Sequence, residues 1–261
     1  SLAILLQGRF CPHQTDEAEA RLMGHMRDAI AWLRTASPSQ LTAIRGVLDH
    51  IIKGQLLDIR RFPDDGRLRA LSTGAELDDY TWLVAGCVGE FWTKLCLDEL
   101  PAAFSKNAAP ASLIDSGIRY GKGLQLINIL RDLPEDIAAG RCYLPEQDLK
   151  NQGRNLVEVR LSPRVLDPVR AAWLAKCEEQ LAHGLRYVQH IADGRLRYAT
   201  ALPLLIGART TCLLREARWE TLVAGIKVSR LEIARILADT AIACRDTAKL
   251  VRLYDKLAGV K

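Results

Sequence analysis

The sequence predicts an all-α chain. Apolar residues recur at three- and four-residue intervals in its long segments, the period of helices with one buried face. No stretch alternates apolar and polar residues as a half-buried strand does, and no Asn-Gly hairpin turn is present. Ser229 followed by Glu232 has the spacing of a capping box, which fixes a helix start near residue 230.

The elements follow in order. Residues 17–34 carry Leu22, Met26, Ile30 and Leu33 at helical spacing. Ser37-Pro38-Ser39 breaks that pattern and supplies a cap for the next segment. Residues 40–60 resume the period through Leu41, Ile44, Val47, Leu48, Ile51, Ile52 and Leu56. Pro63-Asp64-Asp65-Gly66 reads as a turn. Further helices are expected over 76–98, 112–133, 165–192, 196–219 and 229–257. No internal repeat or low-complexity linker divides the chain, so residues 1–261 read as a single domain.

The composition bounds the function class. With 49% hydrophobic and 26% charged residues, the chain is ordinary for a soluble globular protein. No run of about 20 uncharged apolar residues reads as a membrane span, and no signal peptide is visible. The formal net charge of +5 is spread along the chain, which argues against nucleic acid as a partner. It suits an anionic substrate or peripheral contact with an acidic membrane surface. Seven cysteines, with no C-x-x-C pair, read as free buried thiols in a reducing cytoplasm rather than disulfides or a zinc site.

One segment departs from the pattern. GLQLINILRDLPEDIAAGRCYLP, residues 123–145, places Gln125, Asn128, Arg131, Asp132, Glu135 and Asp136 in an otherwise apolar helix. At about 100° per residue, Gln125, Asn128, Asp132 and Asp136 lie within roughly 80° of one another. Leu126, Ile127, Ile129, Leu130, Leu133 and Ile137 cover the opposite side. Two aspartates at i, i+4 repel unless water or a cation absorbs the charge. Charged helix faces are usually just solvated, but the neutral oxygens of Gln125 and Asn128 extend this stripe. Hard oxygen donors on one face suit Mg²⁺, bound by one or two carboxylates together with substrate phosphates. Pro134, between the aspartates, is expected to kink the helix.

A second helix, ELDDYTWLVAGCVGEFWTKL at 76–95, holds Ala85, Gly86 and Gly89 in an apolar stretch. A mid-helix glycine costs about 1 kcal/mol relative to alanine. Either close helix packing or room for a long apolar ligand offsets that cost. Tyr80 lies about one and a half turns before Ala85, and a core tyrosine with a satisfied hydroxyl is the plainer account of it.

These segments carry a resemblance. NILRDLPEDIAAGRCYLP resembles the second aspartate-rich motif of the squalene and phytoene synthase family. DDYTWLVAGCVG looks like that family's tyrosine-bearing helix. Ala201-Leu202-Pro203 and GIKVSR at 225–230 look like the C-terminal part of squalene synthases in particular, most like the bacterial ones. The similarity runs from about residue 40 to 240.

The resemblance implies an isoprenoid-synthase helical bundle with a central cavity, joining two prenyl diphosphates head to head. It assigns Asp132 and Asp136 to Mg²⁺ and catalysis, with Arg131 beside them, and Tyr80 to steering the intermediate. Gln125, Asn128, Ala85, Gly86 and Gly89 would line the substrate site. Arg141, Lys227 and Arg230 would lie near the diphosphates. Farnesyl diphosphate would give squalene through a cyclopropyl diphosphate, with NADPH supplying hydride. Phytoene or dehydrosqualene synthesis would end in proton loss and need no reductant. No G-x-G-x-x-G follows a strand, so NADPH would bind without a dinucleotide fold. The family's first aspartate-rich motif is not found in the chain, and Asp16, Glu17 and Asp28 lack its spacing. The expectation is that it lies upstream of Ser1. A non-catalytic relative is the third reading. The product and the oligomeric state are left open by the sequence.

Overall fold

The computed structural model describes residues 2–260, with fifteen α-helices among them. The chain divides into two compact units, Ser1–Gly46 and Val47–Lys261. All-α architecture is thus what the helical periodicity specifies.

The first unit holds α1 (Leu2–Phe10), α2 (Glu17–Gly24), α3 (Met26–Leu33) and the start of α4 (Pro38–Arg61). Asp16 caps α2, its carboxylate accepting the N–H groups of Ala18 and Glu19 at 2.8 and 2.9 Å. The helix expected over 17–34 is two helices, because the chain breaks at His25 just after Gly24, a weak helix former. Ser37 caps α4 reciprocally. Its hydroxyl accepts from the Gln40 N–H at 3.2 Å, and the Gln40 side chain accepts from the Ser37 N–H at 2.9 Å.

The second unit carries the remaining elements. Helix α5 (Gly74–Thr81) runs through a wide π turn, Trp82–Gly86, into α6 (Cys87–Glu99). Then come α7 (Pro110–Arg131), α8 (Leu133–Ala138), α9 (Glu146–Asn151) and α10 (Leu156–Leu161). They are followed by α11 (Asp167–Gln189), α12 (Gly194–Glu216), α13 (Trp219–Val223), α14 (Arg230–Ala243) and α15 (Thr247–Ala258). Helix α7 is central, packed by α6 and α11, while α12 lies against α11 and α7 and is covered by α14 and α15. The apolar side of α7 does what its spacing predicts. Leu126, Ile127, Ile129 and Leu130 are at most 5% exposed, each such burial contributing about 1.5–3 kcal/mol.

The glycines of α6 and α7 let two backbones touch. A Cβ at Gly89 would sit 2.0 Å from the Gly117 carbonyl oxygen, and one at Gly121 would sit 2.4 Å from that of Ala85. The capping box at Ser229 and Glu232 is present and starts α14. The single helix expected over 229–257 is interrupted at 244–246, and Asp246 caps α15 by accepting the Ala248 N–H at 2.9 Å. Cys87, Cys96, Cys142, Cys177, Cys212 and Cys244 are buried free thiols, as the sequence indicates. Burial pushes the Cys142 thiol up to about 12. Among the described residues, no helix is long and apolar enough to cross a membrane.

One element escaped the periodicity. Arg69–Ala70 (β1) pairs in parallel with Arg141–Cys142 (β2), the Arg69 N–H donating to Gly140 at 3.0 Å and the Leu71 N–H to Cys142 at 3.1 Å. Two residues are too few to display an alternation. The turn into β2 requires Gly140, whose φ of +80° disfavours a side chain.

Candidate functional site

The aspartate segment is not one kinked helix. Helix α7 ends at Arg131, Asp132 is the junction, and α8 begins at Leu133 with Pro134 in its first turn. Proline is tolerated there because first-turn N–H groups have no partner within the helix. The break keeps the register, since the Asp136 N–H still donates to the Asp132 carbonyl at 2.9 Å. The two aspartates therefore remain one turn apart.

Each aspartate is gripped by an arginine. Arg131 donates to both Asp132 oxygens, Nε to Oδ1 at 2.7 Å and Nη2 to Oδ2 at 2.8 Å. Arg141 donates twice to Asp136 Oδ1, from Nε at 3.1 Å and Nη2 at 2.8 Å. Burial holds the Asp136 carboxyl above the usual range, against the lowering by Arg141, and the nearby charges of Asp132 and Asp58 raise it further. The paired carboxylates push the Arg131 and Arg141 guanidiniums up in turn.

Beside Asp136 sits a group of rings. Tyr80, on α5, stacks on Tyr143 with centroids 5.0 Å apart and planes 21° apart. The Tyr143 hydroxyl donates to the Asp58 carboxylate on α4, 2.8 Å from Oδ1 and 3.0 Å from Oδ2. Burial raises the Tyr80 hydroxyl, and the charges of Asp58 and Asp136 add to the shift. The sequence analysis missed Asp58 and Tyr143. Tyr143 lies inside the quoted GRCYLP, but Asp58 in LLDIRR looks like any charge on an amphipathic helix.

A cavity of about 500 Å³ lies between α6, α7, α11 and α12, lined by Ala85, Gly89, Gln125, Asn128, Tyr187 and Pro203 among others. Its wall is chiefly apolar side chains and glycine backbone. Gln125 and Asn128 stand on the last turns of α7, leading toward Asp132. A second cleft of about 560 Å³ brings Lys227 together with Arg131, Asp132 and Glu135. Tyr80, Asp136 and Arg141 form the neighbouring group and line neither cavity, and two more expected residues lie elsewhere. Gly86 faces Lys122 and Ile118 of α7 and lines neither cavity. Arg230 is exposed at the first position of α14 and lines neither cavity.

Known proteins share the sequence pattern and the fold. The squalene/phytoene synthase profile matches residues 11–232. The presqualene diphosphate synthase of Zymomonas mobilis is 30% identical over 172 residues, 64% of this chain and 50% of that protein. The phytoene synthase of Thermus thermophilus is 32% identical over 155 residues, 58% of this chain and 47% of that protein. The chain thus spans about half the length of these curated relatives, and 31% of a bifunctional protein from Streptomyces coelicolor that is 29% identical over 73% of this chain. A squalene synthase structure from Alicyclobacillus acidocaldarius shares the fold with a TM-score of 0.54 at 19% identity, over 74% of this chain and 65% of that one. With 222 consecutive positions, 11 through 232, matching one family profile, and with that fold, the chain belongs to the squalene/phytoene synthase family.

Proposed function

We propose that the chain joins two farnesyl diphosphates head to head, through presqualene diphosphate, to squalene. The observation that carries this reading is one juxtaposition. An apolar cavity carries Gln125 and Asn128 on α7, Asn128 one turn before Asp132, which shares a cleft with Arg131 and Lys227 and lies one turn before the Asp136–Arg141 pair. A prenyl diphosphate has those two halves: a greasy tail and a head of high negative charge.

The roles follow from the physics. As diphosphate departs, Arg131, Arg141 and Lys227 stabilise the charge that develops on it. The apolar wall keeps water from the carbocation left behind. Tyr80, buried beside Asp136, would be the residue that steers the intermediate.

The donor set suits Mg²⁺. Each Asp132 oxygen accepts one guanidinium bond and retains a second lone pair, and both bonds to Asp136 fall on Oδ1, which leaves Oδ2. Two carboxylates with phosphate oxygens are the donors this ion ordinarily takes. Asp132 and Asp136 would hold it, and the ion would supply Lewis-acid stabilisation of the leaving diphosphate. NADPH would supply hydride to the second half of the reaction.

The phytoene synthase relative supports a second reading in which the product forms by proton loss. The deciding experiment incubates the protein with Mg²⁺ and farnesyl or geranylgeranyl diphosphate, with and without NADPH, and identifies extracted products by mass spectrometry. Squalene only with NADPH establishes the first reading. Presqualene diphosphate in both conditions makes it a partial reaction. Dehydrosqualene or phytoene without reductant establishes the second. No product from either substrate leaves a non-catalytic member of the family.

A further inference from the structure

Tyr143 is fixed on three sides. Its ring lies between Tyr80, stacked at 5.0 Å, and Phe62, edge-on at 5.1 Å. Its hydroxyl is tied to Asp58 across 85 positions of sequence. Tyr80 and Tyr143 are only 8% and 7% exposed, so neither ring has room to swing.

The direction of the hydrogen bonds matters. A phenol has one proton to donate, and Tyr143 commits its proton to Asp58. Toward Tyr80 it presents its ring face, stacked at 5.0 Å and 21° from parallel.

The carboxylate itself is costly. Asp58 is half buried, and burial holds it above the usual range despite Tyr143, Arg141 and Arg61. The groups facing it are Arg61 on its own helix, Tyr80 on α5, Asp136 on α8, and Arg141 and Tyr143 in and after β2. A serine or asparagine would pin Tyr143 without placing a second negative charge near Asp136. Beside the two stacked rings, the Asp58 charge favours the protonated Tyr80 hydroxyl.

We infer that Asp58 is a positioning residue, which acts through Tyr143 to hold the Tyr80 ring in place for the reaction. The inference rests on the proposed reading only in taking Tyr80 to serve the reaction.

The test uses the full chain with Mg²⁺ and farnesyl diphosphate, and compares Asp58→Asn, Asp58→Glu and Tyr143→Phe with the parent. Asp58→Asn and Tyr143→Phe should each lower kcat on the order of 10- to 100-fold, as loss of an outer-shell partner does, with KM within about twofold. Asp58→Glu should restore part of the loss. A second readout needs no turnover. With tyrosines labelled at Cζ by a heavy carbon isotope and the Tyr80 signal assigned through Tyr80→Phe, that NMR signal should move in both Asp58→Asn and Tyr143→Phe. An unmoved Tyr80 signal in both variants overturns the inference, whatever the activities do. Loss of activity in Asp58→Asn but not in Tyr143→Phe also overturns it, since Asp58 would then act by another route. If the parent converts no prenyl diphosphate, the proposed function fails, and the NMR comparison still judges the positioning.

Discussion

Arg141 reaches back across the Gly140 turn to place two guanidinium hydrogen bonds on one oxygen of Asp136, five residues earlier. The arrangement joins the end of α8 to β2 and takes no bond on the other carboxylate oxygen. Asp136 is the more buried of the two site aspartates, its side chain 13% exposed against 40% for Asp132. Asp136→Asn should therefore separate function from stability. We expect turnover to fall by at least about 100-fold, since a ligand charge is lost. The melting temperature should hold or rise, because a half-desolvated charge is gone. A thermal melt beside a product assay checks both, and a lower melting temperature would show that the Arg141 contact outweighs the desolvation.

The same burial predicts a pH effect. Asp136 and Asp58 have carboxyls raised above their ordinary value of 3.8. Between the unfolded and the folded pKa, the folded protein holds more protons than the unfolded chain, so stability falls as pH rises through that window. Other groups oppose it, Asp65 and Glu232 being lowered. The expected outcome is thus differential. The stability gained by Asp136→Asn should be larger at pH 7 than near pH 4. Denaturant titrations of both proteins at the two pH values would measure it, and a gain independent of pH would remove the desolvation argument.

Asp132 stands in a different setting, at the α7–α8 junction and bound on both oxygens by Arg131. Asp132→Asn should abolish turnover and leave the helical fold intact, with far-UV circular dichroism unchanged. Weakened binding of Mn²⁺, used as a paramagnetic reporter for Mg²⁺ in the presence of substrate, would tie the loss to the metal. Retained activity would sink the metal assignment.

These residues also mark how far the sequence was legible. The stripe from Gln125 to Asp136 was readable because helical periodicity is strong and six polar groups stand out against it. The break at Asp132 was half readable: Pro134 announces a disturbance, but whether a proline kinks a helix or starts a new one depends on the neighbours. Asp58 was not readable at all. Its partner lies 85 positions away, and local pattern carries no information about such a contact. Gly86 and Gly89 show the same limit at shorter range. They look alike in the sequence and both face α7, but Gly86 meets side chains there, whereas Gly89 meets the Gly117 backbone and also lines the cavity.

Tyr80→Phe removes one hydroxyl and leaves the stacking on Tyr143 in place. Even a whole hydrogen bond is worth only roughly 1 kcal/mol net, too little for this change to unfold the unit. The expected result is a lowered rate or a changed ratio of presqualene diphosphate to final product, read by mass spectrometry. An unchanged product profile would return Tyr80 to a packing role.

Gly89 offers the clearest contrast in stability. A methyl group at this position would sit 2.0 Å from the carbonyl oxygen of Gly117 and 2.6 Å from its carbon, both backbone atoms that cannot rotate away. At Gly86 the nearest atoms, at 3.1 Å, belong to the side chains of Lys122 and Trp82. Helix α6 would have to move away from α7 to accept Gly89→Ala, whereas two side chains would only shift by a few tenths of an ångström for Gly86→Ala. Overpacking costs typically 1–3 kcal/mol, more where the backbone must move, while alanine recovers about 1 kcal/mol of helix propensity at either position. Gly89→Ala should therefore destabilise by at least about 2 kcal/mol and also narrow the cavity. Gly86→Ala should lie within about 1 kcal/mol of the parent. Urea denaturation of the two variants measures the difference, and equal midpoints would show that α6 and α7 part without cost.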